Sequence, residues 1–166
     1  GKGALVFDGT NDHAWGGYDQ RYQDTTVIAV SRYASLGGRC VGSYNNWLLG
    51  HWDRSAKKYY PEGWVSSSDG AEGMTDLGWH FYAATQSYST DMWGFYMDNE
   101  FVAQGTGGSF GQYYFSLGAH AGSQQFGNCK IAMLMVYNRI LHGTLQRCCR
   151  ETKSSQLRGI AVNVDS

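Results

Sequence analysis

Apolar residues recur mostly with period two, or in short runs closed by glycine, and this pattern predicts strands rather than helices. Ala4-Leu5-Val6-Phe7 is one such run, ended by the turn pair Asp8-Gly9. Thr25 to Tyr33 is rich in β-branched residues, with Thr26, Ile28 and Val30 on one face. Arg39 to Ser43 and Trp47 to His51 flank Tyr44-Asn45-Asn46, and Tyr59 to Val65 follows. That last run holds Pro61, which suits an edge strand or a bulge. Gly78 to Gln86 sets Phe81, Ala83 and Thr85 against His80, Tyr82 and Ala84. Met92 to Ala103 predicts a hairpin turning at Asp98-Asn99-Glu100, because Asp and Asn tolerate the left-handed backbone of such turns. Tyr113 to His120 is a further strand. Cys129 to Tyr137 places Ile131, Met133, Met135 and Tyr137 on one face and Ala132, Leu134 and Val136 on the other. Two apolar faces predict a central, buried strand.

One short helix is expected where Leu141, Leu145, Cys148 and Cys149 follow i, i+4, i+7, i+8 spacing, with Thr144 as N-cap. Beyond a polar linker, residues 160–165 alternate again, with Ile160, Val162 and Val164 on one face. Roughly nine to twelve strands predict two packed antiparallel sheets. The expected organisation is a domain over 1–151, then a linker and tail strand over 152–166.

Composition narrows the functional classes. With 13 Lys+Arg against 14 Asp+Glu in 166 residues, no basic footprint for nucleic acid exists. The longest apolar run, Ile131 to Tyr137, is far short of the roughly 18 residues a membrane helix needs, so no membrane insertion is expected. The 23 glycines and 25 aromatics (6 Trp, 12 Tyr, 7 Phe) suit a β domain with tight turns. The chain opens on Gly1 and is read as processed or cut from a longer protein. Four cysteines, Cys40, Cys129, Cys148 and Cys149, form no Cys-x-x-Cys pair, which argues against a zinc ribbon. A bond between the adjacent Cys148 and Cys149 would be strained, so Cys40 and Cys129 are expected to pair with these two, in either order. Disulfides imply an oxidising, extracellular setting.

The order of these segments resembles a known family. Ala4-Leu5-Val6-Phe7-Asp8-Gly9-Thr10-Asn11-Asp12 resembles the opening strand of laminin-G-like, concanavalin-A-like jelly rolls. Trp47 to His51 and Tyr59 to Val65 resemble their middle strands, Gly78 to Ala83 the strand before the hairpin, and Cys129 to Leu141 the closing strand and helix start. The resemblance covers about residues 4–150 and leaves out the tail. It implies an all-β, two-sheet antiparallel jelly-roll sandwich, with the short C-terminal helix and an extra C-terminal strand. Such modules are usually extracellular, and many bind glycans or proteins without catalysing anything.

Chemistry separates the remaining readings. Glycoside hydrolases of this fold carry Glu-x-Asp-x-x-Glu on one strand, because cleavage needs two carboxylates at a set separation. Here the four Glu (62, 72, 100 and 151) never fall in that pattern, so no catalytic residue is assigned. Asp8, Asn11 and Asp12 are the nearest thing to a structural calcium site, and no other cofactor is expected. For glycan binding the candidates are Asn45, Asn46, His51, Trp52, Asp53 and Tyr59, which mix aromatic faces with groups that bond hydroxyls. The leading expectation is instead a structural or adhesive subunit whose partner is itself. Its tail strand, with Ile160, Val162 and Val164, would complete the sheet of another copy and build a head-to-tail homopolymer. A carbohydrate-binding, lectin-like module with a glycan partner is the alternative.

Overall fold

A computed structural model describes residues 3–17, 23–35, 37–53, 55–61, 63, 76–107, 114–121 and 124–141. The described residues hold eleven strands: β1 (Leu5–Asp8), β2 (Ala14–Gly16), β3 (Asp24–Tyr33), β4 (Arg39–Ser43), β5 (Trp47–Trp52), β6 (Ser55–Pro61), β7 (His80–Ser87), β8 (Met92–Met97), β9 (Glu100–Thr106), β10 (Phe115–Leu117) and β11 (Asn128–Tyr137). They pair antiparallel in a six-stranded sheet, β1-β11-β3-β7-β8-β9, and a five-stranded sheet, β2-β10-β4-β5-β6. The two-sheet sandwich matches the sequence expectation.

Local chemistry explains several boundaries. The hairpin turns at Asp98 and Asn99, both with positive φ (49° and 75°), the two-residue geometry that suits the right-handed twist of its strands. Its register pairs Met97 with Glu100 and Tyr96 with Phe101. Pro61 ends β6, the edge strand of the smaller sheet, where a missing N–H costs no ladder bond. Gly50 has φ +89°, and a Cβ there would stand 2.7 Å from the Tyr82 ring, so the two sheets approach closely at this point.

The core lies between the sheets. Val27, Ala29 and Tyr33 of β3, Tyr82 and Ala84 of β7 and Phe95 of β8 meet Val41, Trp47, Leu49 and Tyr59 from the other sheet. Trp47 packs edge-on to Tyr59 (5.8 Å between ring centroids), which in turn lies 5.5 Å from Phe95. A second apolar cluster covers the outer face of the larger sheet, where Ile28, Val30, Phe81 and Ala83 receive Met133, Met135, Tyr137 and Leu141.

Strand β11 departs from its expected faces. Ile131 pairs with Ser31 and Met133 with Val30, so a bulge inserts one extra residue. Ile131 therefore points into the inter-sheet core with Cys129, whereas Met133, Met135 and Tyr137 turn outward and Leu134 and Val136 replace them inside. Cys40 and Cys129 are fully buried and face one another, with no disulfide among the described residues, and burial pushes the Cys40 thiol up. Cys148 and Cys149, their expected partners, lie outside the described residues. So do the remainder of the expected helix beyond Leu141 and the tail strand with Ile160, Val162 and Val164.

Candidate functional site

The sequence candidates separate onto two sides of the smaller sheet, because neighbouring residues of a strand point to opposite faces. His51 and Tyr59 point inward and are fully buried, so neither reaches a ligand outside; this corrects their assignment to a surface glycan site. Tyr59 sits among Trp47, Trp93 and Phe95. His51 belongs to a polar strip inside one end of the sandwich. Its Nδ1 lies 3.2 Å from Ser31 Oγ and 3.4 Å from Tyr82 OH, and its ring is 4.5 Å from that of Tyr33. Desolvation, with His80 adding to it and Asp76 opposing, pushes its pKa down to about 3. His80, 5.9 Å from the His51 ring, holds Asp98 Oδ2 at 2.7 Å through Nδ1 and lies 3.1 Å from Asp76 Oδ2 through Nε2. The hydrogen bond to Asp98 leads the causes that raise the His80 pKa. Asp98 also accepts the Phe81 N–H (2.9 Å), so this carboxylate ties the hairpin turn to β7.

The other candidates stay outside. Asn45 and Asn46 form the β4–β5 turn, Asn46 with φ +62°, and Trp52 and Asp53 close β5. There Trp52 covers the Arg39 guanidinium at 5.1 Å, and Arg39 Nη2 donates to Asn46 Oδ1 at 2.5 Å. The structure thus brings Asn46 and Trp52 together around a residue that sequence reasoning did not single out. Asn45 accepts from Ser43 Oγ in the same turn, and the Asp53 carbonyl accepts the Gly37 N–H.

The Asp8-Asn11-Asp12 cluster is a self-contained turn. Asp8 Oδ1 accepts the N–H groups of Thr10, Asn11 and Asp12, which hold the carboxyl below its usual range, and Asp12 Oδ2 accepts the Asp8 N–H. Among the described residues no group of three or more His, Cys, Asp or Glu side chains is placed to hold a metal.

A concave feature among the described residues lies on the opposite sheet. A groove of about 780 Å³ runs along its outer face, a volume in the range of small-ligand sites. Its floor is low because Gly94 of β8 lies opposite Thr85 of β7; a Cβ at Gly94 would stand 2.8 Å from Thr85 Oγ1. At one end the rings of Tyr96 and Phe101 meet at 5.4 Å, with Phe101 54% exposed. At the other, Ser87 Oγ donates to Asp24 Oδ1 at 2.8 Å. Gln104 and the Arg139-Ile140-Leu141 segment complete the lining. Thr26 pins that segment: its Oγ1 donates to the Arg139 carbonyl (2.8 Å) and accepts the Leu141 N–H (3.0 Å). Sequence reasoning missed this site, although the two-residue hairpin turn already placed Tyr96 opposite Phe101.

No protein-family model matches the chain, and no curated protein matches it in sequence. Solved structures do match. Domains LG4-5 of the mouse laminin α1 chain superpose with TM-score 0.59 at 14% identity, covering 84% of this chain and 44% of that one. The chain shares the laminin-G-like jelly-roll fold. A Bacteroides ovatus protein thought to bind carbohydrate superposes on the jelly roll with TM-score 0.60 at 14% identity, covering 87% and 46%. Domain 4 of AbnA, an extracellular arabinanase from Geobacillus stearothermophilus, in complex with arabinotriose, gives 0.57 at 13% identity, covering 88% and 75%. The chain spans under half the length of the first two. At these identities the likeness establishes the fold. No helix among the described residues is long and apolar enough to cross a membrane.

Proposed function

We propose that this jelly roll is a non-catalytic carbohydrate-binding module that takes a stretch of neutral glycan into the groove on its six-stranded sheet. The observation that carries the reading is the groove's lining. Tyr96 and Phe101 offer aromatic faces to the C–H surface of a sugar, and Asp24, Ser87, Gln104 and Arg139 offer hydrogen bonds to its hydroxyls. The fold is shared with a domain solved with arabinotriose bound, which supports the ligand class. Hydrolysis by a carboxylate pair finds no support here. Among the described residues Asp24 is the one carboxylate lining the groove and is engaged by Ser87, whereas glycosidases need two, about 5–9.5 Å apart. Glycan capture of this kind suits a protein working outside the cell.

The test is binding by the full chain to a neutral oligosaccharide panel that includes arabinotriose, read by calorimetry. Phe101→Ala should weaken binding about tenfold, equivalent to about 1.4 kcal/mol, with the fold intact. Unaltered affinity in both Phe101→Ala and Tyr96→Ala would rule the groove out.

Self-association remains a second reading, favoured by one observation. At the β1 edge of the described six-stranded sheet, Leu5 and Val6 are exposed, an arrangement that an alternating strand carrying Ile160, Val162 and Val164 from another copy could cover. Light scattering on the full chain and on a version ending at Glu151 tests it; two monomers of equal stability would end it.

A further inference from the structure

The five-stranded sheet carries a buried positive charge with no anion paired to it among the described residues. Arg39 is 6% exposed, and its side chain lies flat across Gly42, whose ideal Cβ position is 3.5 Å from Arg39 Cδ. Three acceptors engage its guanidinium: Gln125 Oε1 (2.6 Å to Nε), Asn46 Oδ1 (2.5 Å to Nη2) and the Trp47 carbonyl (3.4 Å to Nη1). All three are neutral. Among the described residues no carboxylate forms an ion pair with it. A buried cation held only by neutral acceptors is an expensive arrangement, and burial lowers the Arg39 pKa to about 10. Nearby, both ring nitrogens of His120 are enclosed and without a hydrogen-bond partner.

The surroundings are built to admit a ligand. Asn46 and Gln125, which cover the guanidinium, are exposed amides, and each can rotate its oxygen away and turn its NH₂ toward an incoming oxyanion. The guanidinium fork matches the two oxygens of a carboxylate, and a charge-assisted bond is roughly twice as strong as the neutral ones it would replace. Trp52, half-buried above Arg39, supplies an apolar face next to that point. A planar aromatic face beside a carboxylate receptor and two amides suits a sugar acid.

We propose that Arg39, with Asn46, Trp52, Gln125 and His120, forms a second binding site on the five-stranded sheet that recognises the carboxylate of an acidic sugar. This site is independent of the groove, which lies on the other sheet.

The experiment titrates the full chain with trigalacturonate and sialyllactose, each against its methyl ester, following the Trp52 indole by NMR. At least one acid should shift Trp52 and bind tenfold or more tightly than its ester, and more weakly as salt rises. Trp52→Ala and Arg39→Lys should each weaken the acid about tenfold or more, whereas Phe101→Ala in the groove should leave it unchanged. Trp52→Ala keeps the test open should a change at Arg39 impair folding. The proposal is overturned if neither acid binds at millimolar concentration, if ester and acid bind alike, or if a folded Trp52→Ala variant binds undiminished. A glutamate oligopeptide binding as tightly as the sugar acids would overturn the sugar assignment in favour of an acidic peptide.

Discussion

His51 makes acid the sharpest probe of the core. The folded protein buries this imidazole completely and neutral, with a pKa near 3, whereas the unfolded chain exposes it at about 6.5. Between those values the unfolded state binds the extra proton, so stability falls as pH falls. At pH 5 the loss from this group is about 1.5 pH units times 1.36 kcal/mol, or about 2 kcal/mol. That is a large share of the 5–15 kcal/mol typical of a domain. The groups facing His51 are Ser31, Tyr33, Tyr82 and His80, with Asp76 beyond. His80 works in the opposite sense: its raised pKa supports the fold below about 6.5 and loses that support as pH rises through the folded value, which softens the net slope. Urea unfolding followed by tryptophan fluorescence at pH 7, 6 and 5 measures the effect. His51→Gln should be less stable at pH 7, by about 1–3 kcal/mol, because Ser31 keeps an imperfect partner in the buried strip. It should also lose most of the decline between pH 7 and 5. A wild-type protein equally stable at pH 5 and 7, or a His51→Gln variant with an undiminished slope, would refute the reasoning.

Other expectations follow from the same geometry. Gly50→Ala forces a side chain into φ +89° and against the Tyr82 ring, and should cost on the order of 2–4 kcal/mol by denaturant titration. Thr26→Val removes both hydrogen bonds that pin the Arg139–Leu141 rim; it should cost about 1–2 kcal/mol and weaken any groove ligand without touching Tyr96 or Phe101, as calorimetry would show. Asp98→Ala unties the hairpin from β7 and removes the main partner of His80, so NMR titration should find the His80 pKa falling toward its ordinary value. Trp47→Ala opens the centre of the core and should cost about 3–5 kcal/mol in the same denaturant assay.

How far the sequence reaches can be judged residue by residue. Period-two alternation located most strands, and the Asp98-Asn99 pair located the tightest hairpin, because both depend on contacts within a few residues. The faces of β3 and β7 were legible for the same reason: Thr26, Ile28 and Val30 do lie on one side, opposite Phe81, Ala83 and Thr85. The first half of β11 was misread because a bulge leaves no local signature, and one extra residue exchanges inside for outside. The same rule separates His51 from Trp52: adjacent in sequence and equally suited to a sugar, one is sealed in the core and the other lies on the surface. The candidate sites themselves depend on distant partners. Arg39 finds Gln125 from 86 residues away, and Thr26 finds the Arg139 segment from 113. By itself, then, the sequence determined the strands, their turns and the sandwich they build, because these follow from side-chain alternation and local backbone preference. Which face meets solvent, where the groove opens and which charge lies buried with no counter-ion among the described residues rest on tertiary structure, because those are properties of surfaces assembled from segments far apart in the chain.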